Sequence, residues 1–159
     1  MADPPAPSLS LPSGDLLLAV DGEPHTEAAQ RWALQLAAAA GRRVVAVHVE
    51  DPYLKQFHTE IYAQGRREYL EHVDECLARA SGEIGAAFGA AADGLGVEHE
   101  LRVLRGEPLE ELAAEARRGG YCLMICGAKR ITGLRRWQSD NLPDRLAALR
   151  DLPLLVVPT

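Results

Sequence analysis

The chain has 159 residues, 47% of them hydrophobic and 25% charged, which suits one soluble domain with a single core. Its formal net charge of −6 argues against nucleic-acid binding, which requires a basic surface to displace phosphate counterions. The three cysteines do not fit a secreted disulfide framework, and no apolar run reaches the roughly 20 residues of a membrane span. We therefore expect a cytoplasmic protein that does not insert into membranes.

The first residues of the chain carry several prolines among small and polar side chains. Pro4, Pro5, Pro7 and Pro12 all lie in this segment. Such a composition buries too little apolar surface to offset the entropy that is lost on ordering. We expect residues 1–13 to form a disordered Pro-rich tail and residues 14–159 to form one α/β domain.

Short apolar runs alternate with helical patterns along the rest of the chain. The predicted elements, in chain order, are a strand at 16–20, a helix at 26–40, a strand at 44–49, a helix at 53–92 with a break near Gly65, a strand at 97–103, a helix at 108–117, a strand at 121–126, a helix ending near Leu149 and a strand at 154–157. This order predicts a single doubly wound, five-stranded parallel sheet with helices on both faces, of Rossmann-like or flavodoxin-like layering.

The apolar patterns also predict which strands are central. Most of the runs are unbroken, which is typical of strands that are buried on both faces. The run at 97–103 alternates in part, which predicts an edge strand. Ligands of such sheets bind beyond the carboxyl ends of the strands, at the point where the strand order reverses. Those ends present Asp21, Val49 and the segment from Gly127 to Arg130.

Four short segments, taken in this order and spacing, resemble signatures of the universal stress protein family. They are LLAVDG at residues 17–22, VAVHV at 45–49, RGEP at 105–108 and DLPLLVV at 151–157. The resemblance covers nearly everything after the tail. It implies a nucleotide site in which Asp21 contacts the adenine–ribose end and the backbone at Val49 meets the base. It also implies a homodimer through the closing strand, at Leu154, Leu155, Val156 and Val157.

The phosphate motif of the family is largely lost in this chain. Members that bind ATP carry the pattern G-x2-G-x9-G-S/T after the fourth strand, because glycines let backbone amides approach phosphates. Gly127 matches the first glycine, but Arg130 and Asp140 stand at the other two. Asn141 stands at the Ser/Thr position and can still cap the following helix. The site is therefore expected to be a degenerate adenine-nucleotide site.

Basic side chains offer an alternative to the missing glycines. Lys129, Arg130, Arg135 and Arg136 belong to a local excess of positive charge in an otherwise acidic chain. Arginine binds phosphate through two parallel hydrogen bonds, so these residues could hold ATP, with magnesium, in a different pose. Arg130 either binds an anion or blocks the nucleotide site. The competing interpretation of the cluster is a solvated helix face.

The cysteines and histidines do not form a metal or redox motif. Cys122 and Cys126 lie four residues apart on one predicted strand, so they should face the same side as core residues. A second Cys pair, which a zinc site of this kind needs, is missing, and the histidines lack ligand spacing. No nucleophile elbow and no P-loop pattern appears either. We expect no metal site and no enzymatic activity.

Two functional hypotheses remain open. The first is a stress-response or signalling module that acts mainly through dimerisation and contacts with an unknown protein partner. The second is a module that binds ATP or another adenine nucleotide and changes its partner contacts in response. The degraded glycine motif favours the first hypothesis, and nucleotide titration separates the two.

Overall fold

The computed structural model of the chain describes residues 10–51, 66–129 and 141–159. The strands are β1 (Asp15–Ala19), β2 (Val44–Glu50), β3 (His99–Arg105), β4 (Tyr121–Ala128) and β5 (Leu154–Pro158). The helices are α1 (Pro24–Ala40), α2 (Arg66–Gly94), α3 (Pro108–Arg117) and α4 (Leu142–Leu149). In the described ranges, no helix has both the length and the apolar character needed to cross a membrane.

The strands form one parallel sheet in the order β3-β2-β1-β4-β5. Helices α1 and α2 cover one face, and α3 and α4 cover the other. This arrangement confirms the predicted doubly wound α/β fold, including the edge position of β3. The chain winds outward from β1 in one direction to β3 and then crosses back to β4. The strand order therefore reverses between β1 and β4, which marks the ligand-binding edge of such sheets.

Alternate residues of the central strands fill two cores. Leu16, Leu18, Val44 and Ala46 pack toward α1 and α2 with Phe88. The face toward α3 and α4 takes the intervening residues, namely Leu17, Val45 and Val47, together with Leu112, Met124 and Leu146. The three central strands carry branched or long aliphatic residues on both faces because neither face meets water. Leu11, from the segment predicted to be a tail, packs against the first of these cores.

The boundary of β3 differs from its prediction, which began the strand at residue 97. The N–H of Val97 donates to the carbonyl of Ala92 at 3.0 Å, so Val97 belongs to the turn that ends α2. Gly96 supplies the positive φ of 63° that this turn requires. The helix predicted at 53–92 is described only from Arg66 onward, and α2 continues to Gly94. The predicted break near Gly65 lies outside the described residues.

The prediction that Cys122 and Cys126 face the same side is wrong. The pairing of β1 with β4 shifts register between Asp15 and Leu16, which interrupts the alternation along β4. Cys122 packs in the core on the α1 side. Cys126 points to the other face, where it lines a cleft with Leu112. Both thiols are buried, as the core interpretation requires.

A chain of ion pairs crosses the sheet on the α3 side. Arg43 contacts Asp15 at 3.2 Å and Glu100 at 2.8 Å, and Arg102 contacts Glu100 at 2.7 Å. The hydrogen bond from Arg102 holds the pKa of Glu100 below its usual value, and the same pair raises the pKa of Arg102. These contacts join β1, β2 and β3 near their amino-terminal ends.

The last member of the ion-pair chain, Glu115 of α3, is buried. Its side chain is 1% exposed, and its carboxylate accepts hydrogen bonds from Arg102 and from the Tyr121 hydroxyl. Burial raises the pKa of Tyr121, and its hydrogen bond with Glu115 raises it further. The Tyr121 hydroxyl therefore stays a neutral hydrogen-bond donor. Two partners on different strands therefore fix α3 to the sheet. Removing one of them leaves a buried charge only partly compensated.

We predict that Arg102→Met lowers the free energy of unfolding by about 1–3 kcal/mol, less than the cost of breaking a fully buried ion pair, because the Arg102 side chain is 30% exposed and Glu115 keeps Tyr121 and Arg118 as partners. Arg117→Met is the matched control, because Arg117 is more exposed than Arg102 and its partly exposed ion pair with Asp151 is expected to contribute less than about 1 kcal/mol. Urea denaturation of both variants measures the difference. Equal destabilisation by the two substitutions would contradict a special role for Glu115.

Candidate functional site at the carboxyl end of the sheet

A cleft of about 270 Å³ opens where the strand order reverses. Its lining residues come from three strands, β1, β2 and β4, and from the starts of α1, α3 and α4; among them are Ala19, Asp21, Val49, Leu112, Gly127 and Pro143. The floor is formed by the ends of β1, β2 and β4. Helices α3 and α4 supply one wall through residues of their first two turns. The cleft is therefore largely apolar, with polar groups concentrated where β1 leads into α1.

Asp21, the predicted ribose contact, follows β1 and is already held in place. Its Oδ1 accepts a hydrogen bond from the backbone N–H of Glu23 at 2.8 Å, which forms a tight turn into α1. Its Oδ2 lies 3.1 Å from Nε2 of His25. The carboxylate is half exposed and has lone pairs left for a ligand hydroxyl. Asp21 thus combines a loop-capping role with a position on the cleft.

Val49 lies on the cleft because β2 extends beyond β1. Pairing of β2 with β1 ends at Ala19 opposite Val47, whereas pairing with β3 continues to Glu50. Along a parallel strand, the N–H and C=O groups of successive residues point alternately toward the strand on one side and the strand on the other. The carbonyl of Glu50 points toward β3, where it accepts a hydrogen bond from the N–H of Gly106 at 3.0 Å. The carbonyl of Val47 points the other way, toward β1, and accepts a hydrogen bond from the N–H of Val20 at 3.0 Å. The N–H and C=O of Val49 therefore face the gap beyond β1.

Gly127, a predicted nucleotide contact, lines the cleft and also has a packing role. A Cβ atom at this position would lie 2.1 Å from the carbonyl oxygen of His25 and 3.2 Å from the backbone nitrogen of Thr26. Contacts under 3.0 Å essentially never occur, so β4 and the start of α1 pass each other at a distance that only glycine permits. This glycine is accounted for by backbone packing alone, without a phosphate.

The start of α4 contains the predicted Asn141. It occupies the N-cap position, but its side chain makes no capping hydrogen bond and instead donates from Nδ2 to Asp144 at 3.1 Å. Asn141 therefore stands at the N-cap position, but the predicted capping by its side chain is not observed. Lys129 lies at the end of β4, exposed, and also lines the cleft. Arg130, Arg135, Arg136 and Asp140 lie outside the described residues.

Several residues of the cleft were not predicted from the sequence. His25, Thr26, Leu112, Cys126 and Pro143 all line it. Only His25 had an available signal, because it stands four residues after Asp21 and the pair meets across the first turn of α1. Burial raises the pKa of the Cys126 thiol to about 11, so this side chain is a neutral wall residue near neutral pH.

Comparison with known proteins decides the family. The family model described as universal stress protein family matches residues 14–158, which is nearly the whole chain. The chain belongs to the universal stress protein family. The resemblance seen in the four sequence segments is thereby confirmed. No curated protein is significantly similar to this universal stress protein in sequence.

Solved structures share the fold at low sequence identity. A universal stress family protein from Burkholderia pseudomallei is 23% identical with a TM-score of 0.63, covering 91% of this chain and 96% of that one. UspA from Lactobacillus plantarum is 14% identical with a TM-score of 0.70, at coverages of 92% and 99%. A family protein from Arabidopsis thaliana, solved with AMP bound, is 15% identical with a TM-score of 0.62, at coverages of 91% and 91%.

We predict that Gly127→Ala destabilises this universal stress protein by about 1–3 kcal/mol, because the added methyl group displaces the start of α1. Gly82→Ala is the matched control: it lies on α2, where an added Cβ meets nothing within 4 Å. That control is expected to gain up to about 1 kcal/mol from its higher helix propensity. Thermal unfolding distinguishes the two, and an unchanged Gly127→Ala variant would refute the packing role.

Proposed function

We propose that the chain binds an adenine nucleotide in this cleft and holds the base and ribose more firmly than the phosphates. The observation that carries the proposal is the orientation of the Val49 peptide groups toward the gap beyond β1. Adenine presents an acceptor, N1, beside a donor, the N6 amino group, and a strand edge offers the complementary donor and acceptor. Asp21, on the same cleft, is a carboxylate acceptor for ribose hydroxyls.

The phosphate end of the ligand has less support from the described residues. Gly127 is already in contact with the backbone of α1, and Lys129 is the basic side chain at that end of the cleft in the described ranges. The first turn of α4 presents backbone N–H groups that Asn141 does not cap, and such groups favour an anion. AMP, which is bound in the Arabidopsis thaliana family protein, therefore fits the proposal as well as ATP does.

Magnesium has no dedicated protein ligands in the proposal. In the part of the chain that the structure describes, no group of three or more His, Cys, Asp or Glu side chains could hold a metal ion. Magnesium is commonly held through one or two carboxylates together with nucleotide phosphates. Its binding would therefore depend on a nucleotide that carries a polyphosphate, and AMP would bind without it.

We further propose that the protein is a binding and signalling module of the cytoplasm rather than an enzyme. The polar groups of the cleft support this role. The Asp21 carboxylate is engaged by the Glu23 amide and by His25, and the Cys126 thiol is held neutral by burial. The buried, neutral thiol is therefore not activated as a nucleophile. A change in partner contacts on nucleotide binding is then the output of the module.

Homodimerisation through β5 is the second part of the proposed function. This strand has five residues, pairs only with β4 among the described strands, and ends the sheet order. Its sequence, LLVVP, is apolar, and Val156 is 37% exposed. An exposed apolar edge strand tends to pair with another strand. A second copy of the same chain provides that strand, and contacts with an unknown protein partner would be made by the dimer.

We predict that AMP and Mg-ATP bind with affinities that differ less than about tenfold, because the outer phosphates gain little without the glycine cradle. Asp21→Ala should weaken both ligands about tenfold through the lost ribose contact. Asp93→Asn, an exposed carboxylate on α2, is the control and should leave both affinities unchanged. Isothermal titration calorimetry measures all of these values.

The opposite results are equally informative. ATP affinity that exceeds AMP affinity by several orders of magnitude would show that basic residues replace the glycine cradle. Absence of binding by both ligands at millimolar concentration would refute the nucleotide proposal. It would leave the partner-contact role as the proposed function.

We predict that Val156→Lys converts the dimer into a monomer, because a lysine on the edge strand blocks pairing with a second copy. Light scattering of the purified protein measures the change in mass. Lys is also expected to leave the fold intact, since Val156 is partly exposed. A dimer that survives the substitution would rule out β5 as the interface.

A further inference from the structure

The peptide groups of Val49 are free to face the cleft because a ladder hydrogen bond is missing. In a parallel ladder, a residue that donates to one residue of the next strand accepts from the residue two positions further on. Val20 donates its N–H to the carbonyl of Val47 at 3.0 Å, so its own carbonyl should accept from Val49. Among the described residues this hydrogen bond does not form, and the ladder ends at Ala19 opposite Val47.

The carbonyl of Val20 accepts a hydrogen bond from a side chain instead. Nδ1 of His48 lies 3.0 Å from the Val20 oxygen. A carbonyl oxygen has no hydrogen to give, so Nδ1 carries the proton and the tautomer of the neutral ring is fixed. His48 is 7% exposed and Val20 is 6% exposed, so both groups need a partner within the protein. The imidazole therefore does what the Val49 amide does in an uninterrupted ladder.

We propose that His48 is a positioning residue that keeps the Val49 peptide groups open for the base of the ligand. With its carbonyl satisfied by the imidazole, Val20 has no need of the Val49 N–H, and β1 and β2 separate at the cleft. Loss of the imidazole would leave a buried carbonyl unpaired. The Val49 N–H, one residue further along β2, is the donor that continued strand pairing would bring to it. This inference rests on the proposed adenine site, in which Val49 recognises the base.

The substitutions that test this role are His48→Leu, His48→Asn and His99→Leu. Leucine removes the donor at position 48. Asparagine restores one, because its side-chain nitrogen is attached to Cγ just as Nδ1 of histidine is. His99 provides a matched control, since its Nδ1 also lies 3.0 Å from a backbone carbonyl, that of Val97, and it does not line the cleft.

The first measurement needs no nucleotide. Amide hydrogen exchange at Val49, followed by NMR, should be fast in the wild type and in His48→Asn. In His48→Leu it should slow at least about tenfold as the N–H pairs with Val20. His99→Leu should leave exchange at Val49 unchanged. Equal exchange at Val49 in the wild type and in His48→Leu would overturn the inference, even in a protein that binds AMP.

The second measurement compares AMP with purine riboside 5′-monophosphate, which lacks the amino group at C6. The wild type should prefer AMP by about tenfold, the contribution of one hydrogen bond to the base edge. His48→Leu should lose this preference, whereas His48→Asn and His99→Leu should keep it. General destabilisation would weaken both ligands equally, so retention of the preference in His48→Leu would also overturn the inference. Failure of the wild type to bind AMP would refute the proposed function and leave the exchange result to decide the role of His48.

Discussion

The cleft depends on one constraint: β1 ends earlier than the two strands beside it. Strand β2 stays paired with β3 as far as Glu50, but it is paired with β1 only as far as Val47. Because the chain leaves the sheet after Ala19, a gap opens between β2 and β4 at the point where the strand order reverses. The contact of Gly127 with the backbone of α1 fixes the opposite side of this gap. Sheet pairing and one backbone contact therefore shape the site before any side chain contributes chemistry.

Most of the fold could be predicted from the sequence because the buried strands are continuous apolar runs bounded by glycine, proline or acidic residues. The exceptions lie where backbone hydrogen bonding departs from the side-chain pattern. Val97 is apolar and buried, yet its N–H belongs to the end of α2, so β3 begins later than its apolar run. The register shift beside Asp15 moves Cys126 to the other face of the sheet. No pattern of side chains reveals such a shift.

The site was predicted in part, and for a physical reason. Asp21, Val49 and Gly127 directly follow or end strands, so the parallel topology alone brings them to one edge. Leu112 and Pro143 come from helices whose packing the sequence does not specify. For Gly127, the sequence also cannot distinguish a glycine that admits a phosphate from one that admits another stretch of backbone. The distance of 2.1 Å from a hypothetical Cβ atom to the His25 oxygen shows that backbone packing alone requires it.

The ion pairs along β3 have a consequence for assembly. The two outer strands of the sheet differ: β3 carries Glu100, Arg102 and Arg105, whereas β5 is uniformly apolar. Charged side chains on an edge discourage other strands from adding to it. A sheet in which only the β5 edge can accept another strand can pair with one copy of itself. After that pairing, both β5 edges are covered and only the charged β3 edges remain exposed. If two copies pair through β5 as proposed, association is limited to a closed pair, and the sheet resists growth into a fibre.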